Sequence, residues 1–244
     1  MKIYVGIDDT DNIDQGATGI SAKHIIKMIE NQRWGSCQGL TRHQLLLHPA
    51  IAYTSHNSSM CFTADIEAAY LEPLIEEAGR FLERYSAPGS DPGLCVVIEE
   101  QLQDAADLIA YGYETKKRII TKEEAFRLAR KLGVHLSEHG GTGIGVIGAL
   151  AGVGLRMTNN DGRFQGRLKL KAPGAIINVA EILSSSPVEK VQSLDGYILH
   201  GQEEVRLGNK LKTVLLEGKR ILLVYRRAGG LEWETCTTVH LEHY

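Results

Sequence analysis

The stretch Ile3-Tyr4-Val5-Gly6-Ile7-Asp8-Asp9-Thr10-Asp11 passes directly from a β-rich apolar run to three carboxylates in four residues. Residues 3–7 have the composition of a short buried strand. The polar residues that stop it stand at its C-terminal end, where open α/β sheets hold their ligands. Residues 18–31 follow with helical spacing through Ile20, His24, Ile25, Met28 and Ile29, with Thr18 or Ser21 available as N-cap. Strand, acidic loop and helix in this order predict an α/β (α+β) protein with a site at residues 8–11.

Further along, residues 44–47 form a second apolar run and residues 60–65 alternate as a strand. Residues 67–85 place Tyr70, Leu71, Leu74, Ile75, Ala78 and Leu82 on one helical face, and a turn cluster at residues 87–93 precedes a strand at 94–98. This middle section reads as a β-α-β unit. Helices are expected at 102–110 and at 122–132, the second started by Thr121 and stopped by Gly133, and a close-packed helix at 147–153. After Asp161-Gly162 the pattern changes. Residues 168–170, 197–199, 211–216, 220–226 and 233–241 look like strands separated by glycine turns. Two regions are expected: 1–186, α/β, and 187–244, a small β-rich C-terminal module.

With 43% hydrophobic residues, a net charge of −3 and a pI near 6.3, the chain has a substantial core and no global attraction for nucleic acid. Local basic stretches at residues 116–118, 163–171, 219–220 and 226–227 read first as solvated faces. Cys37, Cys61, Cys95 and Cys236 stand singly, without the Cys-x-x-Cys pairs of a zinc site. The first residues lack a signal-peptide pattern and no run has the length of a membrane span, so a cytoplasmic protein without a membrane partner is expected.

Three groups of residues carry chemistry. Asp8, Asp9 and Asp11 repel one another at the end of a buried strand unless a cation compensates them, and Mg²⁺ takes one or two carboxylates while bridging nucleotide phosphates. A solvated loop is the plain alternative. His139-Gly140-Gly141-Thr142-Gly143-Ile144-Gly145 precedes a small apolar run. Gly140, Gly141, Thr142 and Gly143 suit either a phosphate cradle or a tight structural turn, because the run is neither a Walker A nor a dinucleotide motif. Arg42, His48, Thr54, His56 and Asn57 offer donors for a phosphate or base, with Arg42 as the fixed charge.

Taken in order, residues 6–11, Leu40-x-Arg42 with His48-Pro49-x-Ile51-x-x-Thr54-x-x-Asn57, Asp91-Pro92-Gly93, and residues 143–154 resemble the archaeal 2-agmatinylcytidine synthetase family, which modifies an isoleucine tRNA. The likeness spans roughly residues 1–160. It implies a kinase-like α/β lobe joined to a ferredoxin-like part, ATP and Mg²⁺ as cofactors, Asp8, Asp9 and Asp11 as catalytic and metal-holding residues, and Thr10 beside the nucleotide. Thr18 falls where the family has a threonine that becomes phosphorylated, although Ala17 and Gly19 replace its usual neighbours. The family continues into an OB-fold and a zinc ribbon that grip tRNA, whereas this sequence has a β-rich tail without paired cysteines. The resulting expectation is an ATP-dependent phosphotransferase or ligase acting on a small molecule or nucleotide. A tRNA-modifying enzyme stands second, and a non-catalytic nucleotide-binding protein or an aspartyl-phosphate phosphatase remain alternatives.

Overall fold

The computed structural model describes residues 1–12, 16–51, 57–226 and 230–244. It divides into two compact units, Met1–Thr158 and Asn159–Tyr244. The division falls where the sequence changes character near Asp161, ahead of the boundary expected at Pro187.

Unit 1 is mixed α/β. Its elements are β1 (Lys2–Asp8), α1 (Thr18–Asn31), β2 (Gly35–Gln44), β3 (Ser58–Ile66), α2 (Leu71–Tyr85), β4 (Gly93–Ile98), α3 (Ala106–Glu114), α4 (Lys122–Leu132), β5 (His135–Glu138) and α5 (Val146–Met157). The strand order is β5-β4-β1-β3-β2, with every pairing antiparallel. The first four strands with α1 and α2 make the split β-α-β arrangement of a ferredoxin-like unit, so the acidic loop leaves the central strand.

Period-two alternation on β1 sends Ile3, Val5 and Ile7 to one face, where Phe62 and Leu94 join Ile25 and Ile29 of α1 and Leu74 and Leu82 of α2. Tyr4, Cys61, Cys95 and Val97 face the other way, onto Leu108 of α3 and Val146, Leu150 and Val153 of α5. Helix α5 is apolar except for Arg156 because it is covered on nearly all sides; ten of its twelve residues are buried. It lies close on the sheet because Gly6 supplies no side chain between them: a Cβ there would strike the Ala149 carbonyl and come within 2.8 Å of Val153 Cγ2.

Several local expectations change. The second strand is β2, upstream of the apolar run at 44–47, because its polar sequence GSCQGLTRHQ gains order from pairing with β3 rather than from its own pattern. The helix expected at 102–110 is shifted to Ala106–Glu114. Neither Thr18 nor Ser21 caps α1: the N-cap is Ala17, and both hydroxyls are committed to the acidic loop. The start and stop of α4 are as read, with a Thr121–Glu124 capping box and Gly133 left-handed at φ 66°.

Unit 2 contains β6 (Arg163–Phe164), β7 (Ile176–Asn178), α6 (Val179–Ser185), β8 (Lys190–Ser193), β9 (Glu204–Arg206), β10 (Val214–Leu216), β11 (Lys219–Arg226) and β12 (Trp233–Thr235). Its strand order is β6-β10-β11-β12-β9-β7, with β8 parallel to β11. Glu217 and Gly218, at φ 52° and 71°, close the β10–β11 hairpin as the Glu-Gly pair suggests. The strands expected at 168–170 and 197–199 are absent, and α6 was not foreseen.

The close approach of α5 to β1 gives a direct check. Gly6→Ala should destabilise the protein by about 2 kcal/mol or more through overpacking, read as a lowered urea midpoint at unchanged slope. A loss below about 0.5 kcal/mol, the range of a neutral surface change, would show that α5 can shift at little cost.

Candidate active site

The acidic loop is built by β1 and held on three sides. Asp8 is the last residue of β1 and pairs with Gly93 of β4. Its carboxyl lies against Gly148 in the first turn of α5, a position that only a glycine leaves open. Asp9 is left-handed at φ 56°, a conformation that aspartate tolerates better than most residues. Thr10 is buried, its hydroxyl 3.0 Å from that of Ser21, and its carbonyl accepts the Ala87 N–H at 3.0 Å. Asp11 accepts the Thr18 hydroxyl at 2.8 Å. Helix α1 therefore anchors the far end of the loop.

The electrostatics are unbalanced. Burial pushes the Asp8 carboxyl well above the usual carboxylate range, with Asp9 and Asp11 adding like charge. Burial also raises Asp9 to about 6, helped by the negative charge of Asp91 and opposed by an Asp91 backbone hydrogen bond. Among the described residues no group of three or more histidine, cysteine or acidic side chains converges on one point. Asp8 and Asp9 thus form a pair lacking counter-charge, while Asp11 is engaged with Thr18. Two carboxylates fit the habit of Mg²⁺, whose other ligands are water and phosphate oxygens.

The glycine segment lies beside this loop. A Cβ on Gly145 would meet the Gly93 nitrogen at 2.9 Å and the Asp8 carbonyl at 3.0 Å, so residues 8–9, 91–93 and 140–148 form one cluster. Asp91 organises it: its carboxylate accepts the Thr142 N–H and its carbonyl accepts the Gly145 N–H at 3.0 Å. The Gly143 N–H goes to the Gly140 carbonyl at 3.1 Å, and Lys122 Nζ holds the Thr142 carbonyl at 2.7 Å. Of the expected cradle donors, Thr142 and Gly143 are therefore committed internally. The amides of Gly140 and Gly141 donate to nothing among the described residues.

Arg42 and Asn57 stand elsewhere. Arg42 is buried on β2, opposite Met60, which itself pairs with Ile7, so it lies two strand spacings, roughly 10 Å, from β1. Its guanidinium donates to Ser58 Oγ at 3.0 Å and Gln44 Oε1 at 2.7 Å. The Asn57 amide donates to the Leu46 carbonyl at 2.8 Å, and His48 Nδ1 accepts the Ala50 N–H at 3.1 Å. These contacts order the end of the β2–β3 connection. Thr54 and His56 fall outside the described residues. Asp91 is the site residue to which the sequence reading gave no role: the Asp91-Pro92-Gly93 run counted as a turn and as part of the family resemblance.

No protein-family model and no curated protein matches the chain. Solved structures do. A tRNA fluorescent labeling enzyme aligns with a TM-score of 0.54 at 26% identity, covering 63% of this chain and 36% of its own. The complex of TiaS, an isoleucine tRNA agmatidine synthetase, with tRNA and ATP gives the same TM-score, identity and coverage. The chain is a partial structural match to TiaS. A further TiaS complex, with tRNA, the ATP analogue AMPCPP and agmatine, covers 74% of this chain at 22% identity and supports the fold alone. The chain spans little more than a third of the length of the first two proteins. Among the described residues, no helix is long and apolar enough to cross a membrane.

The unbalanced carboxylates make a prediction for the ligand-free protein. Because folding raises the Asp9 pKa, its ionised form destabilises the fold above about pH 6, and this penalty fades as pH falls towards the unfolded value. Asp9→Asn keeps the left-handed geometry accessible and should stabilise the protein by about 1 kcal/mol at pH 8, after discounting for solvent screening. The gain should shrink at pH 5. Chemical denaturation at both pH values measures it, and an equal or larger gain at pH 5 would contradict the electrostatic account.

Proposed function

We propose that unit 1 is an ATP-dependent phosphotransferase or ligase site in which Asp8 and Asp9 hold Mg²⁺ and a small molecule or nucleotide is the acceptor. The observation that carries this is the pair of desolvated carboxylates without counter-charge, with the Asp8 carboxyl against Gly148 in the first turn of α5. The likeness to TiaS, solved with tRNA and ATP, supports the nucleotide. When bound, Mg²⁺ would neutralise phosphate charge and offset the Asp8 and Asp9 carboxylates.

The chain's own residues then have separable roles. Gly140 and Gly141 present backbone N–H groups to phosphate oxygens, and α5 adds the partial positive charge of its N-terminus. Asp11 orients the Thr18 hydroxyl and is placed to take its proton if that oxygen attacks the terminal phosphorus of ATP, with ADP as leaving group. Thr10 fixes the loop on α1 through Ser21. Arg42 and Asn57 act by ordering the neighbouring strand ends. A tRNA acceptor is the second reading, supported by the tRNA-bound TiaS structure. Product analysis with ATP and either tRNA or free nucleosides separates the two.

Thermal unfolding with and without Mg-ATP tests the site. At ligand concentrations 100-fold above Kd the parent chain should gain about 2.7 kcal/mol, and EDTA should remove most of it. Asp8→Asn and Asp9→Asn should lose the gain while remaining folded. If both retain it, the metal-holding role of the pair is wrong.

A further inference from the structure

Unit 2 has a cavity of about 220 Å³ that the proposed activity does not use. It is lined by Phe164, Thr213, Arg220, Arg167 and Lys169, with Pro187 closing one side. The local pairing explains the arrangement. The Phe164 N–H donates to the Thr213 carbonyl at 2.9 Å, which brings β6 beside β10, and the β10–β11 hairpin sets Arg220 opposite Leu215. The Arg220 guanidinium then lies 4.0 Å over the Phe164 ring.

The charge in this cavity is not matched. Arg220 is half-buried, yet its neighbour Glu189 uses its carboxylate to accept the Arg220 backbone N–H at 2.7 Å. Among the described residues Arg167, Lys169 and Arg220 have no ion-pair partner. Burial lowers the Arg220 pKa, with Glu189 opposing. Thr213 is only 5% exposed and lines the cavity, and its hydroxyl makes no hydrogen bond among the described residues. A partly desolvated guanidinium without an ion-pair partner costs free energy that an oxyanion in the cavity would recover. The guanidinium fork suits phosphate oxygens, and three cations around one cavity favour a dianion over a carboxylate.

We infer that this cavity binds the phosphate group of a phosphate-bearing ligand, with Arg220 as the fixed charge, Thr213 as a hydroxyl donor, and Arg167 and Lys169 as further cations of the lining. The aromatic face of Phe164 keeps Arg220 extended in the absence of ligand, so little side-chain order is lost on binding. The phosphate can belong to a free nucleotide or to a nucleic-acid backbone. The same contacts serve both, and the test distinguishes them.

The full chain in EDTA, which keeps the acidic loop of unit 1 out of the measurement, is titrated calorimetrically with inorganic phosphate, a nucleoside monophosphate and a short single-stranded oligoribonucleotide. Binding of the two small probes in mutual competition identifies a free-ligand source. Oligonucleotide binding that inorganic phosphate displaces identifies a backbone source. In either case Arg220→Ala should weaken the affinity at least about tenfold, Thr213→Val should weaken it less, and Asp8→Asn should leave it unchanged. If Arg220→Ala proves unfolded by circular dichroism, the double variant Arg167→Ala with Lys169→Ala carries the test. Failure of all three probes to bind, or equal binding by the folded variants, overturns the inference. Neither result bears on the Mg-ATP reading of unit 1.

Discussion

The close seating of α5 on β1 is the constraint on which unit 1 depends. It requires a row of absent side chains on both partners: Gly6 against the Ala149 carbonyl, Gly148 beneath the Asp8 carboxyl, and Gly145 against the backbone at Asp8, Asp91 and Gly93. With a methyl group at any of these points the helix must retreat, and the acidic loop, the 91–93 turn and the glycine segment separate. Packing on one face of the sheet therefore fixes the geometry of polar groups at its end. The opposite face, filled by Ile25, Ile29, Leu74 and Leu82, holds the two ferredoxin-like helices and shapes the far side of the loop through Ser21 and Thr18.

Within that frame the electrostatics divide the carboxylates by role. Asp91 is consumed in building the glycine turn and Asp11 in orienting Thr18. Asp8 and Asp9 are left carrying unfavourable charge in a partly desolvated place. Such a pair lowers the stability of the ligand-free fold, a cost that the proposed cation would offset. The glycine segment is at once a structural turn and a candidate phosphate contact, because its internal hydrogen bonds use the amides of Thr142, Gly143 and Gly145 but not those of Gly140 or Gly141.

What the sequence disclosed follows the strength of local signals. The strand into the acidic loop, the helix start at Thr121 and the glycine stop at Gly133 are encoded within a few residues, and each is found as read. Strand β2 was illegible because a polar strand is ordered by its partner and not by its own alternation. Asp91 was hidden for a related reason: its bonds to Thr142 and Gly145 span more than fifty residues of chain. Arg42 attracted attention as an isolated cation, whereas its local strand partners Ser58 and Gln44 satisfy it. In unit 2 the shortest strands rest on long-range pairing, whereas the Glu217-Gly218 hairpin and the strand beginning at Trp233 were legible.

The most direct test of the central claim is a crystal structure of the chain with Mg²⁺ and a nonhydrolysable ATP analogue. The account predicts a metal ion about 2.0–2.1 Å from carboxylate oxygens of Asp8 and Asp9, with phosphate oxygens against the Gly140 and Gly141 amides. A nucleotide bound away from β1, or a metal ion held without either carboxylate, would contradict it.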